Sequence, residues 1–278
     1  MKEKNKQELK TIDIEKVFQE KNPALLKWIP GFILSYLKRV IHQDSLNRML
    51  NIDPNAYNVD FGKICTAHFG VKSQSIGLDK IPLDGRYLFV SNHPLGGLDG
   101  IIFMNEVGRI FDNIKFPVND ILLQIGRFND IFVPINKHGG HSRKAAELIE
   151  NAFASEAQML YFPAGLVSRK QKGGIKDLDW KPNFIKKAIA HQRNIVPVHI
   201  EGRNSNFFYN LARFRKLIGL KANIEMLYLV DEMFKQKDKH ITLRFGSVIP
   251  WQQLENGESA KVWAEKIKET VYGLPKLI

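Results

Sequence analysis

From residue 86 onward, the sequence alternates short apolar runs with longer segments of helical periodicity, and no other feature constrains the fold as much. Apolar runs of about four to eight residues indicate buried strands, whereas amphipathic helices are longer. The alternation predicts a layered α/β fold with a largely parallel central sheet flanked by helices. The six predicted strands are Tyr87–Ser91, Phe116–Val118, Ile131–Ile135, Met159–Phe162, Ile195–Ile200 and Ile241–Phe245.

Helical periodicity separates these strands. It predicts helices at Gly100–Ile110, His141–Ala157 and Phe184–Gln192, and within 207–236 and 258–271. Residues 1–22 are polar and are expected to be partly helical. The sequence contains no internal repeat and no low-complexity linker. We therefore predict an N-terminal helical segment at 1–60 and one main domain at 61–278.

Residues 24–42 form the most apolar part of the N-terminal segment, with Pro30 expected to kink it or to start a second helix. A narrow polar face is predicted for Lys27, Gly31, Ser35, Lys38 and His42, and a wide apolar arc surrounds it. Two interpretations remain open, a helix docked on the main domain and an amphipathic helix lying on a membrane. No stretch approaches the roughly 18 apolar residues of a transmembrane helix, and the charged N-terminus predicts no secretory signal.

The net charge of +12 favours an anionic partner, which could be nucleic acid, an anionic membrane or an acidic substrate or carrier. Part of this charge lies in 168–193, which holds eight Lys and Arg against two Asp. That run is expected either to form a solvated basic face or to contact lipid headgroups or an acidic carrier. The single cysteine, Cys65, excludes an internal disulfide, and we interpret it as a buried thiol rather than as a nucleophile with His68.

The turn Ser91–Gly100 carries the main chemical signal, because a strand ends there and a helix is predicted to begin after Asp99. Its Pro and Gly residues let the backbone fold back, so that the Asp99 carboxylate can meet the His93 ring. A carboxylate on one imidazole nitrogen fixes the tautomer and leaves the other nitrogen to act as a general base. From the residues alone, Asp99 can equally be a helix N-cap and His93 an ordinary strand-end residue.

This turn resembles the first signature block of the glycerophospholipid acyltransferase family, which includes the lysophospholipid and 1-acylglycerol-3-phosphate acyltransferases. The block is an Asn-His pair followed by Asp. The usual spacing has four residues between His and Asp, whereas five separate His93 from Asp99. A branch of ornithine-lipid acyltransferases, also labelled haemolysin-like, has a similar His-Pro-x-Gly-x-x-Asp-Gly version. The stretch His93–Gly100 resembles that branch most.

Three later segments resemble the remaining family blocks in the same order. Ile131–Ile135 resembles the second block, an apolar strand that in relatives ends with an arginine contacting the acceptor phosphate. Phe162–Gly165 resembles the third, usually Phe-Pro-Glu-Gly, which helps to seat the acceptor. Val196–Ile200 resembles the fourth, a strand-borne Val-Pro step near the acyl site. Four blocks in order over residues 91–200 are a fairly specific match.

The resemblance implies an O-acyltransferase of membrane lipid biosynthesis, with 61–278 as its acyltransferase domain. It would move an acyl group from a thioester of acyl carrier protein or coenzyme A to a lysolipid hydroxyl, with His93 as base and Asp99 orienting it. It implies no metal or bound cofactor, no nucleic acid partner, and a peripheral location on the cytoplasmic side of the cell membrane at an anionic surface. The implied substrate-binding residues are Asn92, Gly96, Gly97, Lys137, Arg143, Phe162, Pro163, Gly165, Ser168, Arg169, Lys170 and Pro197.

Two positions depart from the family pattern, since Ala164 replaces Glu and Ile135 stands where Arg is expected. A bidentate arginine is the side chain best shaped to hold a phosphate monoester. Its absence predicts a bulkier or less charged acceptor, such as a lyso-amino-acid lipid with a free hydroxyl on its amide-linked chain. Lysophosphatidic acid is the second candidate, because Lys137 or Arg143 could supply the missing charge.

Two other functions remain open at this point. A thioesterase or hydrolase could use the same His93 and Asp99 with water as the acceptor, and a product assay with and without lysolipid separates it from a transferase. A non-enzymatic basic protein could bind membrane or nucleic acid, although no nucleic-acid motif accompanies the charge. His138 and His141 flank two glycines without an obvious third ligand, and we interpret them as a loop rather than as a metal site.

Overall fold

The computed structural model describes residues 11–21, 23–123, 125–135, 142–255 and 257–276. The strands in this part of the chain are β1 (Lys72–Ile76), β2 (Tyr87–Ser91), β3 (Ile114–Val118), β4 (Phe132–Pro134), β5 (Gln158–Tyr161), β6 (Arg169–Gln171), β7 (Gly174–Lys176), β8 (Asn194–Ile200) and β9 (His240–Phe245). Strands β6 and β7 pair with each other as a small antiparallel hairpin. The other strands form the main sheet, in the order β1-β9-β8-β2-β5-β3-β4.

Neighbouring strands of the main sheet are parallel except for β8 and β9, which are antiparallel. The predicted largely parallel sheet is therefore confirmed. All six predicted strands are present, with ends shifted by at most two residues. Strand β1 was not predicted, because it lies at the sheet edge and its sequence is polar up to Ile76. The short hairpin of β6 and β7 was also not predicted, because it lies within the basic stretch 168–193.

Helices cover both faces of the sheet. In the described residues they are α1 (Ile14–Lys21), α2 (Pro23–Trp28), α3 (Gly31–Val40), α4 (Gln43–Leu50), α5 (Asn58–His68), α6 (Gly97–Val107), α7 (Asp120–Leu123), α8 (Ser142–Ala154), α9 (Asn183–Ala190), α10 (Asn206–Leu217), α11 (Leu229–Phe234), α12 (Trp251–Glu255) and α13 (Ala260–Gly273). The central strand β2 is buried throughout. Its Phe89 packs into the core with α5 and α6, whereas Leu88 and Val90 pack into the core with α9 and α13.

The predicted break at Pro30 is confirmed, because α2 ends at Trp28 and α3 begins at Gly31. The next helix, α4, already belongs to the main core, where Leu46 lies in the same cluster as Phe61. The division at residue 60 stays a prediction, but apolar packing crosses it. Among the described helices, none combines the length and apolarity that crossing a bilayer requires.

Candidate active site

His93 follows the central strand β2, at the carboxyl end of the parallel strands, which is where α/β sheets usually bind ligands. Its Nδ1 lies 3.0 Å from Oδ2 of Asp99. The Asp99 side chain is fully buried and the His93 side chain is 16% exposed. The turn thus brings the two predicted catalytic side chains together, and it leaves Nε2 of His93 as the ring nitrogen for a substrate proton.

The helix after this turn begins at Gly97, so the prediction that it begins after Asp99 was wrong. Gly96 occupies the N-cap position with φ of 79°, a left-handed value that favours glycine. Asp99 lies in the first turn of α6, and its Oδ2 also accepts a hydrogen bond from the Leu95 N–H at 2.8 Å. The Asp99 carboxylate therefore stabilises the turn as well as contacting His93, although it is not the N-cap.

Two opposing effects act on the His93 imidazole. Burial lowers the pKa of His93, but the Asp99 carboxylate raises it, first by charge and then by its hydrogen bond, and Asp177 adds to this increase. The net result is a pKa for His93 above that of an ordinary histidine. The site therefore favours the imidazolium form, which is the form that a general base becomes after it takes a proton.

The third sequence block meets the first through a ring contact. Phe162, which follows β5, stacks on the His93 ring with centroids 4.1 Å apart and an interplanar angle of 20°. Phe103 and Phe116 in turn pack against Phe162. One face of the His93 imidazole is therefore covered by an aromatic cluster that restricts the tilt of the ring.

The fourth block is joined to the same turn by Asn92. Its Nδ2 donates to the carbonyl of Ile200 at 2.9 Å, and its Oδ1 accepts from the N–H of Ile200 at 2.8 Å. Asn92 is buried, and these two hydrogen bonds occupy its amide. Asn92 therefore links the end of β2 to the end of β8. Pro197 lies within β8 opposite Val90, in a buried strand rather than at a sheet edge.

A second buried carboxylate, Asp177, contacts the main chain of His93. Asp177 accepts a hydrogen bond from the backbone N–H of His93 at 3.2 Å and one from Oγ of Ser168 at 2.6 Å. The N–H of Ser168 donates to the His93 carbonyl at 2.7 Å. Ser168 was among the predicted residues, but Asp177 was counted only as a charge. The available signal was the pair of acidic residues, Asp177 and Asp179, within an otherwise basic run.

The basic stretch 168–193 does not form a single solvated face. Arg169 is buried, and its guanidinium donates to Glu225 at 2.9 Å. Arg193 is also buried and donates to main-chain carbonyls, including that of Phe153 at 2.7 Å. Both were expected at the surface, and the structure corrects this because each side chain satisfies its donors within the core. Lys170, in contrast, is exposed on β6.

The remaining predicted contacts are spread around the site. Pro163 and Ala164 are buried after β5, whereas Gly165 is exposed with φ of 63°. The N–H of Gly165 donates to the carbonyl of Phe162 at 3.0 Å, which closes this turn. Ile135 follows β4, three strands away from β2 in the sheet, and Arg143 is exposed at the start of α8. Lys137, His138 and His141 lie outside the described residues.

Cys65 is buried in α5, as predicted from the sequence. Burial raises the pKa of Cys65 to about 12, so the thiol stays protonated at neutral pH. The neighbouring His68 is hydrogen-bonded to Ser45 at 3.0 Å. These contacts give Cys65 no feature of an activated nucleophile.

Comparisons with known proteins identify the family of this chain. The acyltransferase family model matches residues 16–277, and the chain belongs to that family. It is 46% identical over 264 residues to the lyso-glycine lipid O-acyltransferase of Bacteroides thetaiotaomicron, across 95% of this chain and 97% of that protein. It is 45% identical over 264 residues to the lyso-glycine lipid O-acyltransferase of Phocaeicola vulgatus, across 95% of both chains.

A solved structure with a similar chain path is the 1-acyl-sn-glycerophosphate acyltransferase of Thermotoga maritima. It matches with a TM-score of 0.48 and 17% sequence identity, over 79% of this chain and 77% of that one. The family assignment, which covers nearly the whole chain, identifies an enzyme rather than a non-enzymatic basic protein.

Proposed function

We propose that this acyltransferase moves an acyl group from a thioester to the free hydroxyl of a lyso-amino-acid lipid of the lyso-glycine type. The observation that carries the proposal is the 3.0 Å contact between His93 and the buried Asp99, at the carboxyl end of the central strand. Two relatives that align over 95% of this chain are both named lyso-glycine lipid O-acyltransferases.

In the proposed reaction, Nε2 of His93 takes the proton of the acceptor hydroxyl as its oxygen attacks the thioester carbonyl. The tetrahedral intermediate then expels the thiolate, the C–S bond breaks, and the imidazolium returns the proton to sulfur. An ester and a thiol are the products. Asp99 holds the ring in the required tautomer and stabilises the imidazolium between the two proton transfers.

The intermediate carries a negative oxygen that needs a hydrogen-bond donor. Gly97 begins α6, and the first N–H groups of a helix have no partner within the helix. We assign this helix start to the oxyanion, since backbone N–H groups at such a position favour negative charge. The N–H of Gly165, another candidate, already donates to Phe162.

The acceptor proposal is supported by two positions that lack the charged residue of the family pattern, and by one buried arginine that is already paired. Ile135 and the buried Ala164 replace the arginine and glutamate of the family pattern. The buried Arg169 is occupied by Glu225, and so it offers no free guanidinium to a phosphate monoester. An acceptor whose hydroxyl lies on an acyl chain, with a single carboxylate as its headgroup, requires less cationic binding than lysophosphatidic acid does.

The deciding experiment compares kcat/KM for a lyso-glycine lipid and lysophosphatidic acid with the same acyl thioester. We expect the lyso-glycine lipid to be preferred by about tenfold or more, equivalent to about 1.4 kcal/mol in transition-state binding. A preference of that size for lysophosphatidic acid would show that the acceptor is wrong. Release of free fatty acid without any acylated lipid would instead indicate a hydrolase on the same base.

The donor is proposed to be an acyl thioester of acyl carrier protein or coenzyme A, both of which are anionic. The hairpin of β6 and β7 lies directly between Ser168 and Asp177 in the chain, and it exposes Lys170, Lys172 and Lys176. These cations stand beside the supported His93 turn and can attract an anionic donor to it.

We also propose that the enzyme docks on an anionic membrane surface on the cytoplasmic side. On α2 and α3, Trp28 is 85% exposed and Phe32 is 75% exposed. Large aromatic side chains are usually much more buried than this, so their exposure indicates a contact surface. Lys27 is exposed next to them. Exposed aromatic residues flanked by a cation are typical of a helix that lies in a membrane interface.

Helix α10 extends this apolar surface. Its outer face exposes Phe207, Phe214, Leu217 and Ile218, while its inner face packs into the core. The two parts meet where the Tyr228 hydroxyl lies 2.8 Å from that of Tyr36, and where the Tyr228 ring contacts Phe207. The exposed cations of this second part are Arg213, Lys216 and Lys221.

We call this surface the apolar docking surface. It consists of Trp28, Phe32 and Tyr36 with the exposed face of α10 and Tyr228. It lies next to the turn that carries His93. Leu229, which follows Tyr228, is the side chain nearest to the position that a Cβ on Gly96 would take. A bilayer seated on the docking surface would therefore present its lipids close to His93.

A further inference from the structure

Asp177 is a buried carboxylate that the proposed reaction does not use. It follows β7 and is fully buried. Its oxygens accept hydrogen bonds from three donors, namely the His93 N–H, Ser168 Oγ and Trp180 Nε1 at 2.9 Å. A carboxylate anion accepts at both oxygens, so this arrangement suits the ionised form of Asp177.

Asp177 and Ser168 close a hydrogen-bonded ring around the main chain of His93. Asp177 accepts from the His93 N–H, Ser168 Oγ lies 2.6 Å from Asp177, and the Ser168 N–H reaches the His93 carbonyl. Both polar groups of the His93 backbone are thereby held by residues more than 70 positions away in the sequence. Asp99 holds only the ring, so the two carboxylates fix different parts of His93.

Tyr272 anchors this ring from α13. Its hydroxyl accepts the backbone N–H of Asp177 at 2.7 Å, and Asp177 receives the Trp180 indole on its other oxygen. Burial raises the pKa of Asp177, and the hydrogen bonds from Ser168, Trp180 and His93 offset part of that increase. A buried carboxylate is costly to the fold unless it is hydrogen-bonded in this way. Its presence beside a general base therefore suggests a role in the reaction as well as in packing.

We propose that Asp177 is a positioning residue for His93, which fixes the backbone of the base and stabilises its imidazolium form as a second buried negative charge. The proposal rests on the proposed role of His93 as general base. Displacement of a base by about 1 Å is enough to reduce catalysis by roughly a hundredfold. A negative charge beside the imidazole also favours its charged form, which raises the pKa of His93.

The test is Asp177→Asn, with Asp179→Asn as the matched control. Asp179 is exposed two residues away, so the control removes the same charge outside the network. For Asp177→Asn we expect kcat to fall by about 10- to 100-fold with little change in KM for the lysolipid. The acid limb of the kcat/KM–pH profile, which reports deprotonation of His93, should move to lower pH because the imidazolium has lost a neighbouring anion. Asp179→Asn should leave both unchanged.

Two further variants separate positioning from stability. Trp180→Phe removes one hydrogen bond to Asp177, but Asp177 keeps its charge and its contact with His93. This variant should therefore lower the melting temperature without moving the acid limb of the pH profile. Ser168→Ala should lower kcat at unchanged KM, and it tests the same ring if Asp177→Asn does not fold. A folded Asp177→Asn enzyme with unchanged kcat and pH profile, or a fully active Ser168→Ala enzyme, would overturn the proposal. If His93→Ala were active, the proposed reaction itself would be wrong, whatever Asp177 does.

Discussion

The turn Ser91–Gly100 and the proposed apolar docking surface differ in how many contacts the protein provides to their side chains. In the turn, Asn92 and Asp99 are buried, and the Asn92 amide and the Asp99 carboxylate are both hydrogen-bonded within the protein. On the docking surface, Trp28 and Phe32 expose most of their area to water. A side chain is held in one position when the protein itself supplies all of its contacts. Where large apolar side chains lack contacts, another surface is expected to supply them.

The largest loss of activity should come from removing the proposed general base, His93. We expect His93→Ala to reduce kcat to near background, because the other side chain of the turn that could accept a proton, Asp99, is fully buried away from the substrate. Folding should change little, since the His93 ring is held by one hydrogen bond and one ring contact. Acyl transfer to a lyso-glycine lipid is the readout, with circular dichroism to verify the fold. Substantial activity in this variant would move the general base elsewhere.

A smaller loss is expected for Asp99→Asn, which keeps the shape of the turn but removes the charge. Asparagine can still accept the Leu95 N–H, so the helix start should survive. We expect kcat to fall by about 10²- to 10⁴-fold, because the orienting carboxylate is lost. The acid limb of the pH profile should also move to lower pH, since Asp99 raises the pKa of His93. An active Asp99→Asn enzyme would leave Asp99 with a purely structural function.

The smallest effect on chemistry should come from the docking surface. The double variant Trp28→Ser/Phe32→Ser should weaken binding to anionic vesicles by roughly tenfold or more, because two large apolar side chains no longer leave water. Its melting temperature and its kcat on detergent-dispersed lysolipid should stay near those of the unmodified enzyme. Added salt should weaken the binding without abolishing it.

The matched control for this variant is Leu83→Ser. Leu83 is 68% exposed, but it precedes β2 and so lies at the opposite end of that strand from His93. We expect it to leave vesicle binding unchanged. Equal loss of vesicle binding in the control and in the double variant would show that α2 and α3 carry no specific docking function.

The sequence predicted the sheet well, because its buried strands are continuous apolar runs that differ from helices in both length and period. It also predicted that His93 and Asp99 would meet, since a turn rich in glycine and proline joins them. Asp177 was missed, because its contact with His93 spans 84 residues and depends on how the hairpin of β6 and β7 folds back. Arg169 was misplaced for a related reason. Local charge density does not reveal that Glu225, 56 residues later, pairs with it in the interior.

The stacking of Phe162 on His93 has a geometric consequence for the substrate. The lone pair of an imidazole nitrogen lies in the plane of its ring, and the Phe162 ring is only 20° from parallel to that plane. In the proposed reaction, an acceptor hydroxyl must therefore approach Nε2 edge-on, and it cannot approach from the face that Phe162 covers. The phenyl ring forms an apolar floor along this direction of approach. Methylene groups beside a chain-borne hydroxyl can lie on such a floor, whereas a charged phosphate beside the hydroxyl would lose hydration there.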